Sequence, residues 1–243
     1  MKIPYIISAL IIIIISCTGR EPKIEYNVPM DTAHVADDRL TDTTKVIVAQ
    51  LPVMFDSTNV LIFPVGQVSI SKGDTYSKLS SRSGRTVTDF TYASESNSLS
   101  GIFINLIFET SDGQRKVLTR HKMLINRVTY LDRTYLTTRN QYILYTVYDR
   151  DTNGDGELNY NDVESLYISH ADGSHFKKLT KELHELVDLK FIQAGRMLYF
   201  RTLEDIDHNG TMDNNDKFHY YYIDLASVEN KVIEYNPLDV LLQ

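Results

Sequence analysis

The chain has 243 residues, a formal net charge of −7, one cysteine and no tryptophan. The acidic balance argues against a nucleic-acid partner, because phosphate binding requires clustered Lys and Arg. A single cysteine excludes an intramolecular disulfide, so a hydrophobic core or bound metal must hold the fold together.

The first element in chain order has the features of an export signal. Lys2 is followed by an apolar run over residues 3–15, which is too short to span a bilayer as a mature helix. The run leads into the letters IISC at residues 14–17, which resemble the lipobox of bacterial lipoproteins. In that family the cysteine becomes the new N-terminus and carries the lipid. The resemblance implies a signal peptide over residues 1–16 and lipidation of Cys17, with an ordinary signal peptide or an uncleaved anchor as the alternatives.

Residues 17–44 are predicted to form a flexible tether. From residue 18 onward this segment is polar, contains Pro22 and Pro29, and has no sustained apolar period. The lipoprotein resemblance implies a location in the bacterial cell envelope, with the membrane as a partner through an acyl lipid such as palmitate on Cys17. The outer membrane is favoured, and the leaflet stays open.

Residues 45–243 are predicted to form an all-β domain. Ten segments are rich in the β-branched and aromatic residues that favour strands. They are residues 45–55, 59–65, 86–93, 101–110, 142–149, 165–169, 189–192, 197–202, 218–225 and 231–235. Helix signals are weak, and residues 180–188 are the best helix candidate.

Three segments of this domain share one order of elements, which indicates an internal repeat. Residues 104–125, 164–187 and 219–235 each contain a predicted strand, a turn and a second strand. In the first two copies the turn contains Asp-Gly, a strong signal for a tight hairpin. We therefore expect antiparallel, blade-like units whose strand pairs occupy equivalent places in successive sheets.

The stretches LYISHADGSHFKKLT and DLKFIQAGRMLYFRT, at residues 166–180 and 188–202, look like the TolB-type, WD40-like β-propeller repeat. The resemblance covers residues 164–202 well and residues 103–148 loosely. It departs from the family at residues 191–195, which read FIQAG where Trp-Ser-Pro-Asp-Gly is usual. It implies a small or incomplete β-propeller, because three units and a possible fourth are recognisable. A β-sandwich is the alternative, since short alternating strands suit both architectures.

Two acidic segments match the twelve-residue calcium loop of EF-hand proteins. Such a loop has oxygen ligands at positions 1, 3, 5, 7, 9 and 12, and glycine at position 6. Residues 151–162 supply Asp151, Asn153, Asp155, the carbonyl of Glu157, Asn159 and Asp162. Residues 205–216 supply Asp205, Asp207, Asn209, the carbonyl of Thr211, Asp213 and Asp216. Asp in place of Glu at position 12 resembles dockerin and other extracellular calcium loops.

Calcium is therefore the predicted cofactor, and its predicted role is structural. A sensor EF-hand has helices on both sides of its loop, whereas predicted strands flank both loops here. Calcium that neutralises converging carboxylates fixes a long connection between neighbouring strands. The alternative is an acidic turn that binds nothing.

The sequence contains no recognisable catalytic motif. The seven histidines show no HExxH spacing and have no cysteine partners, so the sequence does not predict a zinc site. No Gly-x-Ser-x-Gly motif is present. The favoured hypothesis is a membrane-tethered, calcium-stabilised module that binds a protein or glycan or acts as a scaffold.

Two alternatives of other classes stay open. One is a glycan-processing hydrolase, which needs a pair of facing carboxylates outside the calcium loops. The other is an assembly component that pairs through exposed strand edges. The stretch LPVMFDSTNVLIFPVG at residues 51–66, together with the strand-flanked loops, resembles Bacteroidota-type lipoproteins of unknown role and implies no activity.

The substitution Cys17→Ala tests the predicted lipidation. Cys17 is the sole thiol, so the mature wild-type chain is expected to begin at this residue and to partition with membranes. The variant is expected to stay unprocessed or to appear in the soluble fraction. Mass spectrometry of the mature N-terminus checks the site, and cleavage elsewhere with an unmodified Cys17 contradicts it.

Overall fold

The structure is a computed structural model that describes residues 22–26, 45–69, 92–95, 97–192, 196–227 and 229–241. The predicted signal peptide and Cys17 lie outside the described residues. Within them the fold is all-β with antiparallel sheets, as predicted, and one sheet curls into a half-barrel. No helix among these residues is long and apolar enough to cross a membrane.

Fourteen strands and two short helices make up the described part of the chain. The strands are β1 (Lys45–Ala49), β2 (Leu61–Ser69), β3 (Tyr92–Glu95), β4 (Ser98–Phe103), β5 (Asn105–Glu109), β6 (Arg115–Val117), β7 (Leu124–Tyr130), β8 (Tyr142–Tyr148), β9 (Glu164–His170), β10 (Lys177–Lys178), β11 (His184–Ile192), β12 (Met197–Glu204), β13 (Lys217–Asp224) and β14 (Ile233–Tyr235). The helix α1 (Asp132–Thr138) lies between β7 and β8, and a 3-10 turn covers Asp239–Leu241.

These strands form three sheets. The first sheet has the order β1-β2-β5-β6, the second has the order β10-β9-β8-β7-β4-β3, and the third has the order β11-β12-β13-β14. The three predicted repeat copies contain the pairs β5-β6, β9-β10 and β13-β14. Each pair is the outermost pair at one edge of its sheet. That the three copies are equivalent blades stays a prediction.

The second sheet is the central layer, because both of its faces are buried. Side chains alternate between the two faces of a strand. In β8, Ile143, Tyr145 and Val147 belong to the core cluster shared with residues of the first sheet. Tyr142 and Leu144 belong to a second cluster with residues of the third sheet. The fold is therefore a stack of three layers around two cores.

The weak helix candidate at residues 180–188 does not form a helix. Leu183 lies in a turn with a φ of +58°, and β11 begins at the next residue. A strand forms here because β11 pairs with β12 along its whole length, with a bulge between Leu186 and Asp188. Leu183 and Leu186 thus lie in a turn and a strand, and not on one face of a helix. Neither β7 nor α1 was predicted, and most of the strand predicted at residues 86–93 lies outside the described residues.

The substitutions Ile143→Ala and Leu144→Ala test whether both faces of the central sheet are covered. These neighbours are 0% and 3% exposed and point into different cores. Each variant is expected to lose about 2–5 kcal/mol of unfolding free energy, because each leaves a cavity. Denaturant unfolding measures the loss. Leu136→Ala, at a side chain that is 69% exposed, is the control and should change stability by no more than about 0.5 kcal/mol. A small loss in either core variant contradicts the three-layer arrangement.

Candidate metal centre

Both predicted calcium loops are hairpin connections between paired strands. The first loop, residues 151–162, joins β8 to β9, which pair from Tyr148 and Glu164 onward. The second loop, residues 205–216, joins β12 to β13, which pair from Glu204 and Lys217 onward. Described strands therefore stand on both sides of each loop, as the sequence predicts, and neither loop adjoins a helix.

The aspartate at position 1 accepts two backbone hydrogen bonds in each loop, and the amide of position 6 is a donor in both. In the first loop Asp151 accepts hydrogen bonds from the amides of Gly154 and Gly156, with N–O distances of 2.7 and 2.8 Å. In the second loop Asp205 accepts hydrogen bonds from the amides of Asn209 and Gly210, at 3.3 and 2.7 Å. Positions 4 and 6 have positive φ angles in both loops. Both loops thus turn around their first aspartate, with the same signs of φ at positions 4 and 6.

Five more hydrogen bonds recur between equivalent positions of the two loops. The side-chain oxygen at position 3 accepts from the amide of position 5, position 5 accepts from position 7, and position 9 accepts from position 11. The aspartate at position 12 accepts from positions 2 and 9. The N–O distances lie between 2.7 and 3.3 Å. All side chains assigned as ligands from the sequence therefore take part in the same pattern of loop hydrogen bonds.

This arrangement leaves the side chains able to accept a cation. A carboxylate has about four lone-pair sites, and the loop amides use only some of them. In the second loop one carboxylate oxygen from each of Asp205, Asp207 and Asp216 lies within 4.8 Å of the other two. Calcium binds oxygens at about 2.3–2.6 Å, so its ligands lie at most about 5 Å apart. The second loop fits this size. The first loop supplies three carboxylates against four in the second loop, because it has amides at two ligand positions, Asn153 and Asn159.

The carboxylates of the first loop differ in their surroundings. Asp162 is fully buried, and this burial raises its pKa even though the amides of Asn159 and Thr152 favour the ionised form. Asp155 is exposed, and the amide of Glu157 and the side chain of Asn153 lower its pKa. Asp162 therefore lies at the buried inner end of the first loop, and Asp155 lies at its solvent-exposed end.

The N-terminal segment, residues 22–26, lies across both loops. The amides of Lys23 and Ile24 donate to the carbonyl of Gly210 in the second loop, at 2.6 and 3.1 Å. The amide of Glu25 donates to the carbonyl of Thr152 in the first loop at 2.7 Å. The Thr152 hydroxyl returns a hydrogen bond to the carbonyl of Lys23 at 2.7 Å. One short segment thus connects two loops that begin 54 residues apart (205 − 151).

Side chains of the N-terminal segment complete this contact. Ile24 is only 3% exposed. The Tyr26 hydroxyl donates to Asp205 Oδ2 at 3.0 Å, and its pKa is raised by burial and by this carboxylate. Lys23 Nζ donates to the carbonyl of Asp162 at 3.2 Å and forms an ion pair with Glu185 at 2.6 Å. These residues belong to the predicted tether, and the polar composition of that stretch gave no signal of the contact.

A groove of about 490 Å³ lies between the second and third sheets. Its lining combines the apolar Leu186 and Phe191 with Arg127, Glu164 and Asp188. Both carboxylates have protein partners: Glu164 accepts from the Asn126 amide at 3.0 Å, and Asp188 accepts from Arg201 at 2.8 Å. The groove is therefore shaped for binding more clearly than for acid–base chemistry.

Comparison with known proteins adds no family. No protein-family model matches the chain, and a search of curated proteins found no significant match.

The substitution Gly210→Ala tests the contact between the second loop and the N-terminal segment. A Cβ at Gly210 would lie 2.4 Å from the carbonyl oxygen of Ile24, whereas a Cβ at Gly156 would meet no heavy atom within 4 Å. The φ angles are +79° and +86°, so Gly156→Ala is a control with the same backbone strain. Gly210→Ala is expected to increase hydrogen exchange at the amides of Lys23 and Ile24 by about tenfold or more, because their hydrogen bonds to the Gly210 carbonyl are lost. Equal exchange in the two variants contradicts the contact.

Proposed function

We propose that this protein is a membrane-tethered, calcium-stabilised lipoprotein of the bacterial envelope that binds a partner or acts as a scaffold. The observation that carries the proposal is the N-terminal segment bound across both calcium-type loops. It connects the stretch that follows Cys17 to the two sites at which a metal ion can order the domain.

Calcium is the cation that best suits both loops. The side-chain ligands are three carboxylates and two amides in the first loop, and four carboxylates and one amide in the second. Calcium prefers such all-oxygen ligand sets, and it tolerates the irregular geometry of a loop. Without a cation the converging carboxylates repel one another, and two of them, Asp162 and Asp205, are buried. A bound cation therefore favours the folded loops.

Lipidation of Cys17 would place the loops close to the membrane. Pro22 is the fifth residue after Cys17. Five residues span at most about 18 Å even when fully extended. The N-terminal segment then holds the loop end of the domain towards the lipid, and calcium in the loops stabilises the surface on which that segment lies. The outer membrane is the favoured location.

The binding role rests on the stack of sheets and its groove. The three sheets end in equivalent strand pairs, which favours an incomplete propeller-type arrangement over a two-sheet sandwich. The groove between the second and third sheets offers apolar and charged side chains together, a combination that suits a protein or glycan partner.

Exposed sheet edges favour assembly as a second candidate function. The edge strands β1, β6 and β14 carry the exposed aliphatic side chains of Ile47, Val117 and Ile233. Unpaired edges of this kind can add a strand from another chain. Light scattering on the mature chain separates the two functions, since assembly predicts a mass that rises with protein concentration.

The experiment for the calcium proposal is thermal unfolding with calcium and with chelator. A ligand that binds only the folded loops is expected to stabilise the domain by about 1–3 kcal/mol per site at saturation. Envelope calcium can be near millimolar, so dissociation constants of about 10⁻⁴ to 10⁻³ M are sufficient. Asp155→Ala and Asp205→Ala should each remove one site from a calcium titration.

Glu157→Ala is the control for these variants. Glu157 is exposed and contributes only its backbone carbonyl to the predicted ligand set, so its substitution should leave calcium binding unchanged. An unchanged wild-type midpoint with chelator, together with no heat of calcium binding in calorimetry, means that the loops are acidic turns and rejects the proposal.

A further inference from the structure

Two histidines and a glutamate meet on neighbouring strands of the third sheet. His184 is on β11, Glu204 on β12 and His219 on β13. His184 pairs in register with Glu204, and His219 pairs with Thr202, two residues before Glu204. Residues two apart on a strand share a face of the sheet, so the three side chains converge. One ligand atom from each lies within 4.8 Å of the other two.

The Nδ1 atom of each histidine already has a protein partner. His219 Nδ1 lies 2.6 Å from Glu234 Oε1, and Lys181 donates to the other oxygen of Glu234 at 2.8 Å. His184 Nδ1 lies 3.2 Å from the Thr202 hydroxyl. Contacts of this kind orient histidine ligands in metal sites and leave Nε2 to bind the ion.

The two Nε2 atoms face the same carboxylate. His219 Nε2 lies 2.6 Å from Glu204 Oε2, and His184 Nε2 lies 3.9 Å from Glu204 Oε1. Ligands of a tetrahedral zinc ion lie about 3.3 Å apart, since each is about 2.0–2.1 Å from the metal. The two observed distances lie on either side of this value. Side-chain shifts of under about 1 Å are therefore sufficient to form such a site.

We propose that His184, Glu204 and His219 form a zinc site with two nitrogen ligands and one carboxylate ligand. The rings of both histidines are buried, whereas the side chain of Glu204 is 41% exposed. The two histidines thus line the buried side of the proposed zinc site. A fourth ligand would reach the zinc ion from the solvent side.

The chemistry of the ligands separates this site from the calcium loops. Zinc binds imidazole nitrogen well, whereas calcium takes oxygen ligands almost exclusively. Glu204 directly precedes Asp205, but the two sites share no ligand. The domain would then hold two kinds of cation at adjacent places on β12, and loss of calcium binding in the loops would leave the zinc site in place.

A metal-free arrangement of the same atoms is the competing explanation. A protonated His219 can donate to Glu204 and Glu234 at once, at 2.6 Å each, and form an ion-paired cluster. That cluster needs no contribution from His184, whereas zinc binding does. Substitution of His184 therefore separates the two explanations.

The test is titration of the mature chain with zinc, in the presence of saturating calcium, followed by calorimetry. One zinc site is expected in the wild type. Glu204→Gln and His184→Ala are each expected to weaken binding by about 100-fold or more, and Glu234→Gln by about 10- to 100-fold, because Glu234 orients His219. Glu182→Gln is the matched control, since Glu182 lies two residues before His184 and pairs instead with Lys178 and Arg150.

Cobalt supplies a second readout. Co²⁺ in a four-coordinate site with two histidines absorbs visible light strongly, whereas Co²⁺ in an all-oxygen loop absorbs weakly. The strong absorption should appear in wild type and disappear in Glu204→Gln. Thermal unfolding with chelator confirms that the variants are folded. Absence of zinc binding in the wild type, or binding that survives both Glu204→Gln and His184→Ala, overturns the proposal.

Discussion

Two buried aspartates impose the constraint on which the loop end of this fold depends. Asp162 and Asp205 are 0% and 1% exposed, and a buried carboxylate is costly unless hydrogen bonds or cations surround it. Each carboxylate accepts hydrogen bonds from backbone amides of its own loop. The N-terminal segment lies over both loops. Lys23 contacts the backbone of Asp162, and Tyr26 donates to the carboxylate of Asp205. The loop conformation and the position of the N-terminal segment both follow from the need to surround these buried carboxylates with hydrogen-bond donors.

The same contacts connect layers that the strand ladders leave separate. The first loop belongs to the second sheet and the second loop belongs to the third sheet, and none of the described strands pairs across the two sheets. The N-terminal segment forms backbone hydrogen bonds with both loops. It therefore acts together with the core around Leu166 and Leu198 in holding the two sheets together.

The local features of the chain were predictable because their causes are local. Alternating β-branched and aromatic residues predicted most strands, and the Asp-Gly turns predicted the hairpins of residues 112–113 and 172–173. The spacing of Asp, Asn and Gly predicted two loops whose hydrogen bonds match position by position. The helix at residues 180–188 failed for the opposite reason, since pairing with β12 outweighed a weak local preference.

The sequence by itself determined the all-β class and the two acidic loops that join paired strands. Each of these depends on residues within about one turn or one hairpin of each other. Only the tertiary structure decided that residues 22–26 lie on both loops and that His184, Glu204 and His219 converge. Both results depend on strand register and sheet stacking, which bring together residues up to 187 positions apart (210 − 23). Register shifted by one residue would turn His184, Glu204 and His219 to the other face of the third sheet, and that register depends on the hydrophobic pattern and turns of whole strands.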